Sequence, residues 1–122
     1  MSNSQQRFGE VQKAYFHAGD NFTSDLAACN GDVAKIDAVA ANLQALETET
    51  YRAAKSVLTQ TGDEVEAAYK AAKAAREGII AKRKAAASIA DLIKATAKNL
   101  DGVKALIDAA KTKTAASASP VA

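Results

Sequence analysis

The sequence predicts an all-α fold: an antiparallel up-down bundle of three long helices, with a fourth, short C-terminal helix as its extension. Three observations carry that reading. Apolar residues recur on a seven-residue register, Phe8, Tyr15, Phe22, Cys29, Ile36, Leu43 and Val57, with Thr50 as its polar interruption. A second register of Val65, Ala72, Ile79, Ala86, Ile93, Leu100 and Ile107 takes over after a one-residue slip. Sustained heptads of this kind mark long helices packed along a shared seam. Next, alanine supplies about half of the apolar residues, whereas the 122 residues hold only three Phe, three Tyr and no Trp. Alanine loses no side-chain entropy in a helix, but it buries little surface. At about 25 cal/mol per Å², such a thin core must be gathered along considerable length. Last, the pattern is punctuated by Gly19-Asp20, Asn30-Gly31-Asp32 and Thr61-Gly62-Asp63. Each sets a residue tolerant of positive φ before an Asp that can accept hydrogen bonds from the free amides of a new helix.

The first helix is expected near residues 5–29. The heptad runs undisturbed across Gly19, from Tyr15 to Phe22, and an interior glycine costs only about 1 kcal/mol. Asn30-Gly31-Asp32 places three poor helix formers in succession, so the chain is expected to break there and resume over 33–60. Asp63-Glu64-Val65-Glu66 has capping-box spacing and coincides with the register slip. That combination predicts a turn at 61–63 and a third helix over 64–98. Asn99-Leu100-Asp101-Gly102 reads as either a kink or a short break before a last helix near 103–112.

Connections this short make successive helices antiparallel. The rival architecture is a two-helix hairpin, 5–60 against 64–112, a rod roughly 75–85 Å long at 1.5 Å per residue. Because the third helix outlasts its neighbours, its apolar end is expected to fold back or to meet a second subunit. Residues 1–112 are taken as one helical domain. Residues 113–122, which leave the heptad and hold the single proline, are taken as a flexible Ala/Ser/Thr tail.

Charge is divided along the chain. Residues 1–66 hold five Lys/Arg against ten Asp/Glu, and residues 67–122 hold eleven against four, giving −5 and +7. The simplest use of that split is internal pairing of an acidic helix with a basic one, although each exposed pair is worth only about 0–1 kcal/mol. In an antiparallel hairpin about the 61–63 turn, Arg76 is expected to meet Glu47 or Glu49.

Several function classes find no residues to carry them. Cys29 is the single cysteine, which rules out an intrachain disulfide and a thiol-rich metal site. On the seam it reads as a small apolar filler. His17 is the single histidine; with Ala14 three residues before it, the Glu-x-x-His pair of di-iron bundles is absent. The sequence has no glycine-rich phosphate cradle, no metal-binding or nucleophilic constellation, and hence no expected catalytic residue, cofactor or metal. No apolar run reaches the ~18–20 residues of a membrane span, and the polar start has no signal-peptide pattern. The protein is expected to be soluble and, by default, cytoplasmic, with signal-less export left open.

The functional expectation is a non-enzymatic interaction or assembly protein that works through the sides of its helices, by self-association or by docking to a protein partner. The candidate contact residues are Ile93, Leu100, Val103 and Ile107, with Phe8, Tyr15 and Phe22 as an aromatic alternative that core packing would equally explain. A different class of function, electrostatic nucleic-acid binding, would use the basic stretch Lys70, Lys73, Arg76, Lys82, Arg83 and Lys84. That stretch has no interleaved aromatic on which a base could stack. Within it Lys82 intrudes on the seam near Gly78, either as a local perturbation of the helix or as a snorkelling stem. A lipid- or granule-surface role is the third reading. The Ala/Ile face of the third helix lacks the Trp, Phe and Leu that reach into the acyl boundary. Alanine-rich bundles serve many unrelated functions, so the fold by itself transfers no activity.

Overall fold

Asn3 opens the first helix with a reciprocal cap: its side chain accepts from the Gln6 amide at 2.8 Å, and the Gln6 side chain accepts from the Asn3 amide at 2.9 Å. From there the structure, a computed structural model describing residues 1–112, is all-helical, with no strand among the described residues. The helices are α1 (Ser4–Asp20), α2 (Phe22–Ala28), α3 (Val33–Ser56), α4 (Asp63–Lys84) and α5 (Ile89–Ala110). The fold class is the one the heptads imply; the division into helices differs from the expected three long helices and short fourth. The expected tail, 113–122, lies outside the described residues.

The single helix expected over 5–29 is interrupted at Asn21, whose side-chain amide donates to the His17 carbonyl as the chain passes into α2. Asn30-Gly31 does end a helix, with φ of 50° and 80°, and Asp32 caps α3 by accepting from the Lys35 amide. α3 stops at Ser56 rather than at 60 because Val57 turns into the left-handed region at φ 48°. Residues 57–62 become a strap tied to the end of α5. The Gln60 amide donates to the Ala110 carbonyl, and the Thr112 amide donates to Val57. The capping box expected at Asp63 does not form. Gly62, at φ 125°, is the cap, and Glu66 turns away to Ser2 and Arg7.

The largest correction concerns the last third of the chain. α4 ends at Lys84, not at 98, and the chain reverses over 85–88. Ala86 takes φ 56°, the Ala86 and Ala87 amides donate back to the Arg83 and Lys82 carbonyls, and the Ser88 side chain accepts from the Asp91 amide. Asn99–Gly102, expected as a kink or break, lies inside the unbroken α5. Asn99 is 1% exposed and donates from its side chain to the Ala72 carbonyl; a Cβ at Gly102 would stand 3.2 Å from the Ala72 Cα. Both poor helix formers are thus spent on bringing α4 and α5 close together.

The apolar end of the chain folds back within the molecule as α5, which packs on α4, α3 and α1. α1 lies against α3, α5 and α4. Paired contacts give the directions. Glu10–Arg76 and His17–Arg83 advance together, so α1 and α4 are parallel. Tyr15–Glu47 and Gly19–Leu43 advance oppositely, so α1 and α3 are antiparallel. Asn42–Ile93 and Arg52–Asp108 make α3 and α5 parallel. The result is an up-down-up-down arrangement in the ring order α1, α3, α5, α4, not the long two-helix hairpin.

The core gathers Val11, Leu46, Ala72, Val103, Leu106 and Ile107 from these four helices. Of the first heptad register only Cys29 is fully buried; Phe8, Tyr15, Phe22, Ile36 and Leu43 are half-buried and Val57 is exposed. The innermost positions of that half are Val11 and Ala14 in α1 and Val39, Leu46 and Ala53 in α3. Each of these helices meets more than one neighbour, so its buried stripe centres between them. The smaller side chains occupy the middle and the aromatics flank it.

Candidate functional site

Basic residues of α4 divide by chemistry. Arg76 and Arg83 turn inward. Arg76 makes a two-pronged pair with Glu10 of α1, at 2.5 and 3.1 Å, and Arg83 grips Asp25 of α2 at 2.7 and 2.8 Å while donating to His17 Nε2 at 2.9 Å. The guanidinium fork suits a carboxylate in this two-oxygen geometry. The meeting of Arg76 with Glu47 or Glu49 does not occur, because α4 packs on α5 and α1 instead of forming a hairpin with α3. Glu47 accepts from the Tyr15 hydroxyl, and Glu49 pairs with Arg52, which also reaches Asp108. Burial first, and then the Arg83 charge, hold the His17 imidazole below its usual range.

A second latch closes the N-terminal end. Arg7, 1% exposed, donates to the Ser2 carbonyl and hydroxyl and to the Leu58 carbonyl, with Glu66 at 3.6 Å. The Ser2 amide and hydroxyl donate to Glu66 and hold its carboxyl below the ordinary carboxylate range. These networks have their partners within the chain. They fasten α1, α2 and the strap onto α4.

The lysines remain outside. Lys70, Lys73, Lys82 and Lys84 are exposed, and none is ion-paired among the described residues. The six-residue basic patch expected from the sequence is therefore reduced to four lysines, and Lys82 stands apart from the rest. It lies on the rim of a groove of about 520 Å³ that runs along the outer seam between α4 and α5. The floor of that groove is Ala71, Ala74, Ala75 and Gly78 of α4 with Ala95 of α5; its rim is Lys82, Lys94 and Lys98, with Asp91 as the single acidic group. The anomaly of Lys82 on an apolar register is thereby explained: α4 keeps its helix to Lys84, and Lys82 edges a seam that faces solvent.

Small residues create this groove. Asn99 and Gly102 draw α5 down onto Ala72, and the short side chains on the outer shoulder of that contact leave the space unfilled. Gly78 is informative because a Cβ built on it would meet nothing within 4 Å. It pays the helix-propensity penalty of an interior glycine, about 1 kcal/mol, without any close intramolecular contact that requires it. Gly78 and Lys82 stand out together in the sequence, but the reversal at 85–88 that brings α5 beside them carries no glycine to mark it.

The expected contact residues lie elsewhere. Leu100, Val103 and Ile107 are buried in the core, so their apolar surface is covered by the chain's own helices, and Ile93 is half-buried. Phe8, Tyr15 and Phe22 are half-buried; Phe8 borders a smaller hollow of about 280 Å³ with Ala53, Val57 and Leu58. The large exposed apolar side chains of α1, α3 and the residue after α3 are Phe16, Val33, Tyr51 and Val57. Cys29 is buried, its thiol donating to the Asp25 carbonyl at 3.2 Å. Among the described residues, no three His, Cys, Asp or Glu side chains group as a metal site, and no helix is long and apolar enough to cross a membrane.

In comparisons with known proteins, no family model, no curated protein and no solved structure matches this chain.

Proposed function

We propose that this protein is a non-enzymatic helical docking protein whose working surface is the outer seam of the α4–α5 hairpin. The observation that carries the reading is the groove itself: an open floor of Ala and Gly, edged by lysines without ionic partners among the described residues. Contiguous apolar surface with a polar edge is the pattern of a protein-binding site. Self-association is the other form of the same reading, and the α1–α3 side with Phe16 and Tyr51 is where a second copy would find aromatic contact.

Electrostatic nucleic-acid binding remains the alternative from another class. Its support is the outward set Lys70, Lys73 and Lys84; against it stands the diversion of Arg76 and Arg83 into internal pairs. A photocrosslinking amino acid placed at Ala74 or Ala95 of the full chain, expressed in its own cell, tests the docking reading. Discrete protein adducts from both positions, absent from Ala34 on α3 and lost when Gly78→Leu is added, are expected. Adducts indifferent to Gly78→Leu, or formed only with nucleic acid, would contradict it.

A further inference from the structure

We infer that the α4–α5 groove takes an acidic amphipathic helix of another protein, its bulky apolar side chains set into the alanine floor and its Glu or Asp residues facing the lysine rim. The inference rests on the docking reading above and goes further by fixing the chemistry of the occupant.

Size, shape and charge each constrain that occupant. From Ala71 to Lys82 the groove follows about three turns of α4, roughly 16 Å at 1.5 Å per residue. A short helix matches that length, and helix-in-groove recognition presents apolar anchors at i, i+3 or i+4, and i+7 along one face. The floor offers methyl groups and the bare Gly78 backbone, so it accommodates large side chains rather than supplying them. Knobs must therefore come from the partner.

Its polar contacts must also come from outside. Lys94 and Lys98 stand one turn apart on α5, and Lys82 stands on the facing shoulder of α4, three cations against the lone Asp91. Carboxylates at a matching i, i+4 spacing on the partner would meet Lys94 and Lys98. Asp91 stands in the first turn of α5, where the free amides of its own helix offset its charge, so the field that meets the incoming helix is set by the lysines. A small apolar ligand is a poorer fit, since the groove is open along its length and lacks the convergent polar groups that orient such molecules.

The test uses the full chain, isotope-labelled for NMR, and two synthetic helical peptides of about 14 residues. One carries Leu anchors flanked by Glu; the other has the same anchors flanked by Lys. The Glu peptide is expected to shift amides confined to Ala71–Lys82 and Asp91–Lys98, with affinity at least about ten-fold above that of the Lys peptide and falling with added salt. Gly78→Leu, which has open space for its side chain, is expected to abolish binding while leaving the spectrum of the core intact. Lys94→Glu with Lys98→Glu is expected to invert the preference between the peptides.

Equal binding of the two peptides, or better binding of the Lys peptide at the groove, would overturn the acidic occupant while leaving the docking reading standing. Shifts centred on Phe8 and Val57 would overturn it as well. So would a monomer–dimer equilibrium reversed by Gly78→Leu, which assigns the groove to a second copy, or tighter binding of a single-stranded RNA at the same amides. If neither peptide binds and cellular crosslinks at Ala74 ignore Gly78→Leu, the docking reading itself fails.

Discussion

Arg7 shows how much of this fold hangs on individual polar side chains. It is almost completely buried, it satisfies the Leu58 carbonyl, and it ties Ser2 and Glu66 into one cluster where the strap, α1 and α4 converge. Arg7→Met keeps the apolar stem but leaves the Leu58 carbonyl without this donor, so a loss of about 3 kcal/mol in urea unfolding is expected. The pH dependence follows from two groups. The folded Glu66 carboxyl holds its proton less tightly than an unfolded one. Its contribution is complete above the unfolded value near 4.3 and is lost as pH falls from there through the lowered folded value. The folded His17 ring is likewise harder to protonate. Its contribution is complete above about pH 6.5 and declines as pH drops from there to the lowered folded value. Urea midpoints measured across pH should therefore fall in two stages on acidification. Glu66→Gln should flatten the lower stage and His17→Gln the upper, and identical curves for all three proteins would contradict both assignments. None of these roles was legible beforehand, because a charged residue's partner depends on which helices are neighbours.

At the scale of the elements, what the sequence announces depends on which residues do the announcing. Asn30-Gly31-Asp32 ends one helix and caps the next as expected, since it uses residue types suited to those geometries. The reversal at 85–88 escapes notice because Ala86 occupies the left-handed position where glycine is the usual signal. Its traces were Lys82-Arg83-Lys84 at a helix C-terminus and Ser88-Ile-Ala-Asp91 at the next N-terminus. Ala86→Gly should accordingly raise stability by about 0.5–1 kcal/mol in urea melts. Conversely, Asn99 and Gly102 resemble a break but serve the tertiary contact with Ala72, which outweighs their poor propensity. The two helix glycines of the hairpin should respond in opposite senses. Gly78→Ala, with nothing near the new methyl, should stabilise by up to about 1 kcal/mol. Gly102→Val, driven against the Ala72 backbone, should cost about 1–3 kcal/mol. Thermal unfolding of the pair checks both, and two changes of the same sign would show that the hairpin packs differently.

Across the whole molecule, the charge division of the sequence is milder between the two connected layers, −2 over α1 to α3 and +2 over α4 to α5, because Asp63, Glu64 and Glu66 open α4; acid and base meet between the layers at Glu10–Arg76 and Asp25–Arg83. The remaining lysines face outward, including those that edge the groove. Internal use of the charge split was readable from composition; which acid meets which base was not, because the ring order of the helices decides it. The groove was less legible still, since it exists only once α4 and α5 form a hairpin, and the sequence carries them as one continuous register. Which face of that hairpin is left outward, and the groove with it, is fixed by α4 lying against α1. A double-mutant cycle measures this most directly: Glu10→Gln and Arg76→Gln, singly and together, set against the same cycle for Glu47 and Arg76, all read as unfolding free energies. A coupling of about 1–3 kcal/mol is expected between Glu10 and Arg76 and none resolvable between Glu47 and Arg76; the reverse result would return α4 to the side of α3 and contradict the ring order α1, α3, α5, α4.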